Sequence, residues 1–162
     1  MMRFISTWFG VGLMKPAPGT WGSFAALPFA WALHVLGGFP LLVVATIAIF
    51  FLGWWTTHGA TIGAADHDPS EIVIDEIVGQ WIALWPVSLG AMMSKSDFLT
   101  LWPGVLTAFV AFRLFDITKP GPVGWADRRH DALGVMLDDV IAGIMAALVV
   151  GAAAFVAHKV MI

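Results

Sequence analysis

The stretch FPLLVVATIAIFFLGWW, Phe39 to Trp55, holds one hydroxyl and no charge. It lies within a longer interval, Pro16 to Ala65, that contains no Lys, Arg, Asp or Glu. In water such a run would need burial on every side. In lipid it is the expected composition of a spanning helix, because unpaired backbone is not tolerated there. The rest of the chain agrees: 162 residues are 59% hydrophobic and 12% charged, with a mean hydropathy of +0.87. That charge content is about half the soluble norm, too little to clothe a soluble surface. The chain reads as an integral membrane protein, one domain over residues 1–162.

Four more apolar stretches flank this one: Trp21–Leu36, Ile77–Met93, Phe98–Phe112 and Val140–Ala157. The expected fold is an all-α, polytopic transmembrane bundle of about five short helices. The first stretch carries Pro28 and His34 and reads either as a crossing or as re-entrant. Gly37-Gly38 and Pro40 mark a turn into the second, which is expected to run on toward Ala65, with Gly59 and Gly63 as a close-packing face. Asp68-Pro69-Ser70-Glu71 has the form of a capped helix start, placing the third helix from about Pro69 to Met93 with a kink at Pro86. The fourth is expected to end near Asp116, before Lys119-Pro120, and the fifth to run from about Asp138 to near Lys159. Trp8, Trp21, Trp54, Trp55 and Trp125 suit membrane boundaries, and Trp31, Trp81 and Trp85 suit helix contacts.

Charge fixes the function classes. Net charge is −3 with no basic run, so nucleic acid is not an expected partner. The absence of cysteine removes disulfides, thiolate ligands and cysteine nucleophiles. The acids fall almost entirely into two blocks, Asp66 to Glu76 and Phe115 to Asp139. If all five stretches cross, both blocks share one side with Arg3, Lys15, Arg113, Lys119, Arg128 and Arg129. Lys95 and Lys159 alone mark the other, so the acidic side is expected to be cytoplasmic.

Carboxylates in so apolar a chain need a reason. Glu71 and Asp75 would share a helix face, with Glu76 widening the cluster. Like charges at this spacing repel unless a cation resolves them, and hard oxygen ligands suit Mg²⁺. Asp138-Asp139 and Asp116 offer further ligands from neighbouring helices. Lys119, Arg128 and Arg129 suit phosphate oxygens, although topology and lipid headgroups would also account for the arginine pair. Arg113 either snorkels or pairs with Asp116. His67 and His130 have the chemistry of proton donors. In the turn Pro18–Ser23, Thr20 or Ser23 would cap a helix, and the turn could alternatively receive phosphate.

The motifs PGTWGSFAALP, DPSEIVIDEIVGQWIAL, FRLFDITKPGPVGWADRR and LGVMLDDVIAGI, in this order, resemble the phosphatidylglycerophosphatase A family from about Pro18 to Ala157. The resemblance implies a multi-pass bacterial inner-membrane enzyme. It would take the phosphate from phosphatidylglycerophosphate with Mg²⁺, leaving phosphatidylglycerol. It implies roles for Thr20, Asp75, Glu76, Asp116, Lys119, Asp138 and Asp139. One departure is His130-Asp131-Ala132-Leu133-Gly134, where the family often has a glycine-rich stretch. The expected assignment is therefore Asp75, Asp116, Lys119 and Thr20 in catalysis and Lys119, Arg128, Arg129 and Thr20 on phosphate. Glu71, Asp75, Glu76, Asp116, Asp138 and Asp139 would hold metal. The expected chemistry is in-line attack of water, or else a phospho-aspartate through Asp75 or Asp116. A divalent-cation transporter or channel is the alternative from another class.

Overall fold

A computed structural model describes residues 1–62 and 69–160. Among them the chain is helical without strands: α1 (Met2–Ser6), α2 (Pro18–Thr61), α3 (Ile74–Ser94), α4 (Trp102–Thr118), α5 (Pro122–Asp127) and α6 (Ala132–Val160). Short 3₁₀ turns lie at Val11–Leu13 and Phe98–Leu101. Four of these segments are long and apolar enough to cross a membrane. The longest, α2, breaks at Gly37 and Gly38, whose backbones leave helical geometry. Gly38 has φ +65°, which its lack of a Cβ permits. The arms, 18–36 and 39–61, would rise about 28 and 34 Å at 1.5 Å per residue. Each is comparable to the ~30 Å hydrocarbon core. The first stretch is thus a full-length helical arm.

α3 is the most buried of these helices and forms the axis of the bundle. Gly22 lies against Val73, and the Trp81 indole donates to the Ala26 carbonyl (2.9 Å). His34 Nδ1 meets Ser88 Oγ at 2.7 Å, so arm 18–36 runs parallel to α3. Phe39 packs on Trp85 and Gly53 on Ile74, so arm 39–61 runs back. On the remaining sides, Gly104 meets Val87 from α4, and Gly143 meets Gly79 from α6. Outward-facing Phe24, Phe51, Val110, Leu148 and Phe155 give the bundle an apolar exterior, as lipid contact requires.

Several boundaries differ from the sequence expectation, for identifiable reasons. α3 starts at Ile74 rather than near Pro69, and its N-cap, Val73, makes no side-chain cap bond. The Val73 amide instead donates to the Ser6 carbonyl (3.0 Å), and Glu71 pairs with Arg3 (2.5 Å). The N-terminal segment has captured residues that would otherwise form a first helical turn. Asp68, the expected cap, lies outside the described residues, as do Asp66, His67, Gly63 and Ala65. α6 starts at Ala132, not Asp138. Asp131 supplies the cap, accepting from the Gly134 amide at 2.7 Å. The start of α2 is set by Pro18 in its first turn with no side-chain cap, so Thr20 and Ser23 lie within the helix. Trp8 is buried against Phe29 and Trp81, whereas Trp31 is 40% exposed. Trp8 is thus an interior residue, and Trp31 is not enclosed between helices.

Candidate active site

The helix directions bring the start of arm 18–36, the start of α3, the end of α4 and the start of α6 to one end of the bundle. A cleft of about 280 Å³ opens there, lined by Gly19, Asp75, Glu76, Arg113, Asp116, Lys119, Asp138 and Asp139 among others. Asp75 and Glu76 lie in the first turn of α3. Asp138 and Asp139 occupy the second turn of α6, where the early helix start has drawn them inside. Asp75 and Asp139 are 6% and 2% exposed, so neither is a solvated helix-end acid.

Carboxylate oxygens of Asp75, Glu76 and Asp139 lie within 4.8 Å of one another. Glu76 Oε2 and Asp139 Oδ1 are buried and receive no hydrogen bond from the described residues. The cleft wall carries five carboxylates against two cationic side chains. Buried like charges in this number call for further positive charge. Three convergent hard-oxygen donors form a set suited to a divalent cation. The donor chemistry and the orphaned acceptors therefore both fit a metal ion.

The two cations are held differently. Arg113 pairs with Asp116 one turn on and lies 3.9 Å from Glu76 Oε1, so the expected Arg113–Asp116 pair is present. Lys119 ends α4 in the left-handed conformation, which turns the chain toward α5. Its ammonium bonds Asp127 and, at 3.0 Å, Asp138. Partial burial disfavours the charged amine, but the hydrogen bonds it donates to Asp127 and Asp138 outweigh this and raise the pKa above the ordinary lysine value. Lys119 is thus a permanent cation at neutral pH.

Asp75, Glu76, Asp116, Lys119, Asp138 and Asp139 all reach the cleft wall. Thr20, Glu71, Arg128 and Arg129 are not among its lining residues. Thr20 follows Gly19 in the first turn of arm 18–36, and Glu71 is turned to Arg3. Arg128 lies over α5, its Nη1 3.4 Å from where a Cβ on Gly124 would stand. Arg129 pairs with Asp131 at 3.0 Å, and His130 is exposed. We expect Glu71→Gln to change turnover by no more than about threefold, the usual scale for a surface substitution. A larger loss in a phosphate-release assay would return Glu71 to the site.

Sequence reasoning marked Gly19 for close backbone approach in the Pro18–Ser23 turn without naming what it approaches, and passed over Asp127. A Cβ at position 19 would collide with the Glu76 carboxylate and stand 3.1–3.2 Å from the Arg113 terminal nitrogens. Glycine here leaves the ends of the Glu76 and Arg113 side chains where they lie; a larger residue would displace them. The signal for Asp127 was its place eight residues after Lys119 beyond a Pro-Gly-Pro turn, a length that returns the chain to the helix end.

A family model described as Phosphatidylglycerophosphatase A matches residues 4–154. A phosphatidylglycerophosphatase A of Haemophilus influenzae is 38% identical over 92% of this chain and 86% of its own length. One of Escherichia coli is 34% identical over 96% and 83%. A Bacteroides thetaiotaomicron protein, provisionally named a phosphatidylinositol-3-phosphatase, is 35% identical over 94% and 92%. No solved structure matches.

Proposed function

The chain belongs to the phosphatidylglycerophosphatase A family and is a phosphatase. From that premise we propose that it hydrolyses phosphatidylglycerophosphate to phosphatidylglycerol and inorganic phosphate, with Mg²⁺, at the cytoplasmic face of the bacterial inner membrane. The observation that carries this reading is where the cleft lies. Asp75 and Glu76 belong to the first turn of one spanning helix and Asp116 to the last turn of another. Their cleft is therefore level with helix ends, where a lipid phosphate resides. A carrier site for cations would be expected nearer the midplane. The excess of Lys and Arg on this side supports the cytoplasmic orientation.

In this mechanism Asp75, Glu76 and Asp139 would hold Mg²⁺, with Asp138 and Asp116 beside them. When bound, the ion supplies charge neutralisation to the phosphoryl oxygens. Lys119 binds a phosphate oxygen as a fixed cation. Its raised pKa makes it a poor proton donor, so its contribution is electrostatic. Asp116, held by Arg113, orients the attacking water and accepts its proton. The new P–O bond forms as the ester P–O bond breaks, and the glycerol oxygen leaves with a proton from solvent.

Purified protein in detergent is expected to release phosphate from phosphatidylglycerophosphate. Release should stop with chelator and return with Mg²⁺. Phosphatidylinositol 3-phosphate and phosphatidic acid are the comparison substrates. Preferential release from either would reassign the headgroup, and chelator-resistant release would remove the metal.

A further inference from the structure

Arg113 is placed for more than neutralising its neighbours. Its side chain is 15% exposed and it lines the cleft. Nη1 is committed to Asp116. At 3.9 Å the contact to Glu76 is an ion pair but not a hydrogen bond. Nε is buried and finds no acceptor among the described residues. An unmatched donor on a buried cation is costly, and a residue serving only as counter-ion would be expected to turn that edge toward a carboxylate. Both terminal nitrogens, like the Glu76 carboxylate, lie close to Gly19, a residue of the cleft wall at the N-terminal turn of a long helix whose dipole favours anions.

We propose that Arg113, together with Lys119, is the phosphate subsite, Arg113 binding the oxygens of the transferring group from the cleft wall. The inference rests on the phosphatase reading above and deepens it. It moves the second phosphate-binding cation from the Arg128-Arg129 pair, which points elsewhere, to an arginine on α4. A planar guanidinium offers parallel donors to a phosphate where an ammonium offers a point charge. Arg113→Lys should therefore preserve local charge and still lose phosphate affinity.

The test compares wild type, Arg113→Lys and Arg113→Gln in detergent. Inorganic phosphate binding is measured by calorimetry with Mg²⁺ present and by inhibition of turnover. Mn²⁺ affinity is measured separately by electron paramagnetic resonance without phosphate. In Arg113→Lys, the KM for the lipid phosphate and the phosphate dissociation constant should each rise about 10–100-fold. Mn²⁺ affinity should stay within about threefold of wild type. Arg113→Gln should show at least as large a loss of phosphate. Unchanged phosphate binding in both variants, or lost Mn²⁺ binding with phosphate affinity intact, would overturn the subsite and leave Arg113 a counter-ion. Arg113-dependent phosphate binding by a wild type that cleaves no phosphatidylglycerophosphate would support the subsite and sink the substrate assignment instead.

Discussion

Asp139→Asn is expected to lower turnover by roughly 10³-fold, the scale on which a group stabilising transition-state charge acts, while raising the melting temperature of the metal-free protein. The two effects have one cause. Asp139 is 2% exposed and shares its space with Asp75 and Glu76, oxygens of all three lying within 4.8 Å. Without an ion, three buried like charges repel. An isosteric amide removes part of that repulsion and, under the proposed assignment, takes away a metal ligand. At this chain length each kcal/mol regained shifts the midpoint by about 2–4 °C. Added metal should reverse the order, because an ion that binds only the folded state stabilises it in proportion to its affinity. Mg²⁺ should therefore raise the midpoint of wild type by more than that of the variant. Thermal scanning in detergent with and without Mg²⁺, beside a phosphate-release assay, reads all of this. A variant that melts lower without metal, yet answers Mg²⁺ as wild type does, would show Asp139 to be a packing residue.

The same cluster shows what the sequence could and could not reveal. Charge-free runs marked the spanning helices because lipid leaves backbone few options, and Gly37-Gly38 marked the hairpin. The gathering of acids was legible from parity: two crossings separate Asp75 from Asp138, which returns both to one side. Helix starts were less legible. The capping pattern at Asp68–Glu71 is a local signal. It was outweighed by the Arg3–Glu71 pair, 68 residues apart in sequence, and by the Ser6–Val73 bond. Asp131, by contrast, was a readable cap before α6. Recognising it would have placed Asp138 and Asp139 inside the helix. Basic residues proved hardest, since a sequence gives the side of the membrane and not the direction of a side chain. Arg129 found Asp131 two residues on, while Arg113 both pairs with Asp116, as expected, and lines the cleft.

Gly143→Ala is expected to cost about 10²-fold in turnover although it removes no functional group. Gly79 and Gly143 lie four residues after Asp75 and Asp139, one turn deeper on the same helix faces. There α3 and α6 touch backbone to backbone. A Cβ on residue 143 would stand 3.0 Å from the Gly79 Cα, with the Gly79 carbonyl oxygen nearer still. The contact is what lets two buried aspartates on different helices approach one another, so a methyl group must push the helices apart directly beneath them. A displacement near 1 Å at a reacting centre is worth about 10²-fold. The intrinsic effect of the substitution has the opposite sign, since alanine favours a helix over glycine by about 1 kcal/mol. Gly151, two turns further along α6, has nothing within 4 Å of its would-be Cβ and supplies the control. Gly151→Ala should keep its activity and melt at or slightly above the wild-type temperature. Gly143→Ala should still insert and fold in detergent, yet need a higher Mg²⁺ concentration for half-maximal phosphate release. Equal activity in the two variants would mean that the glycine crossing does not set the spacing of the carboxylates.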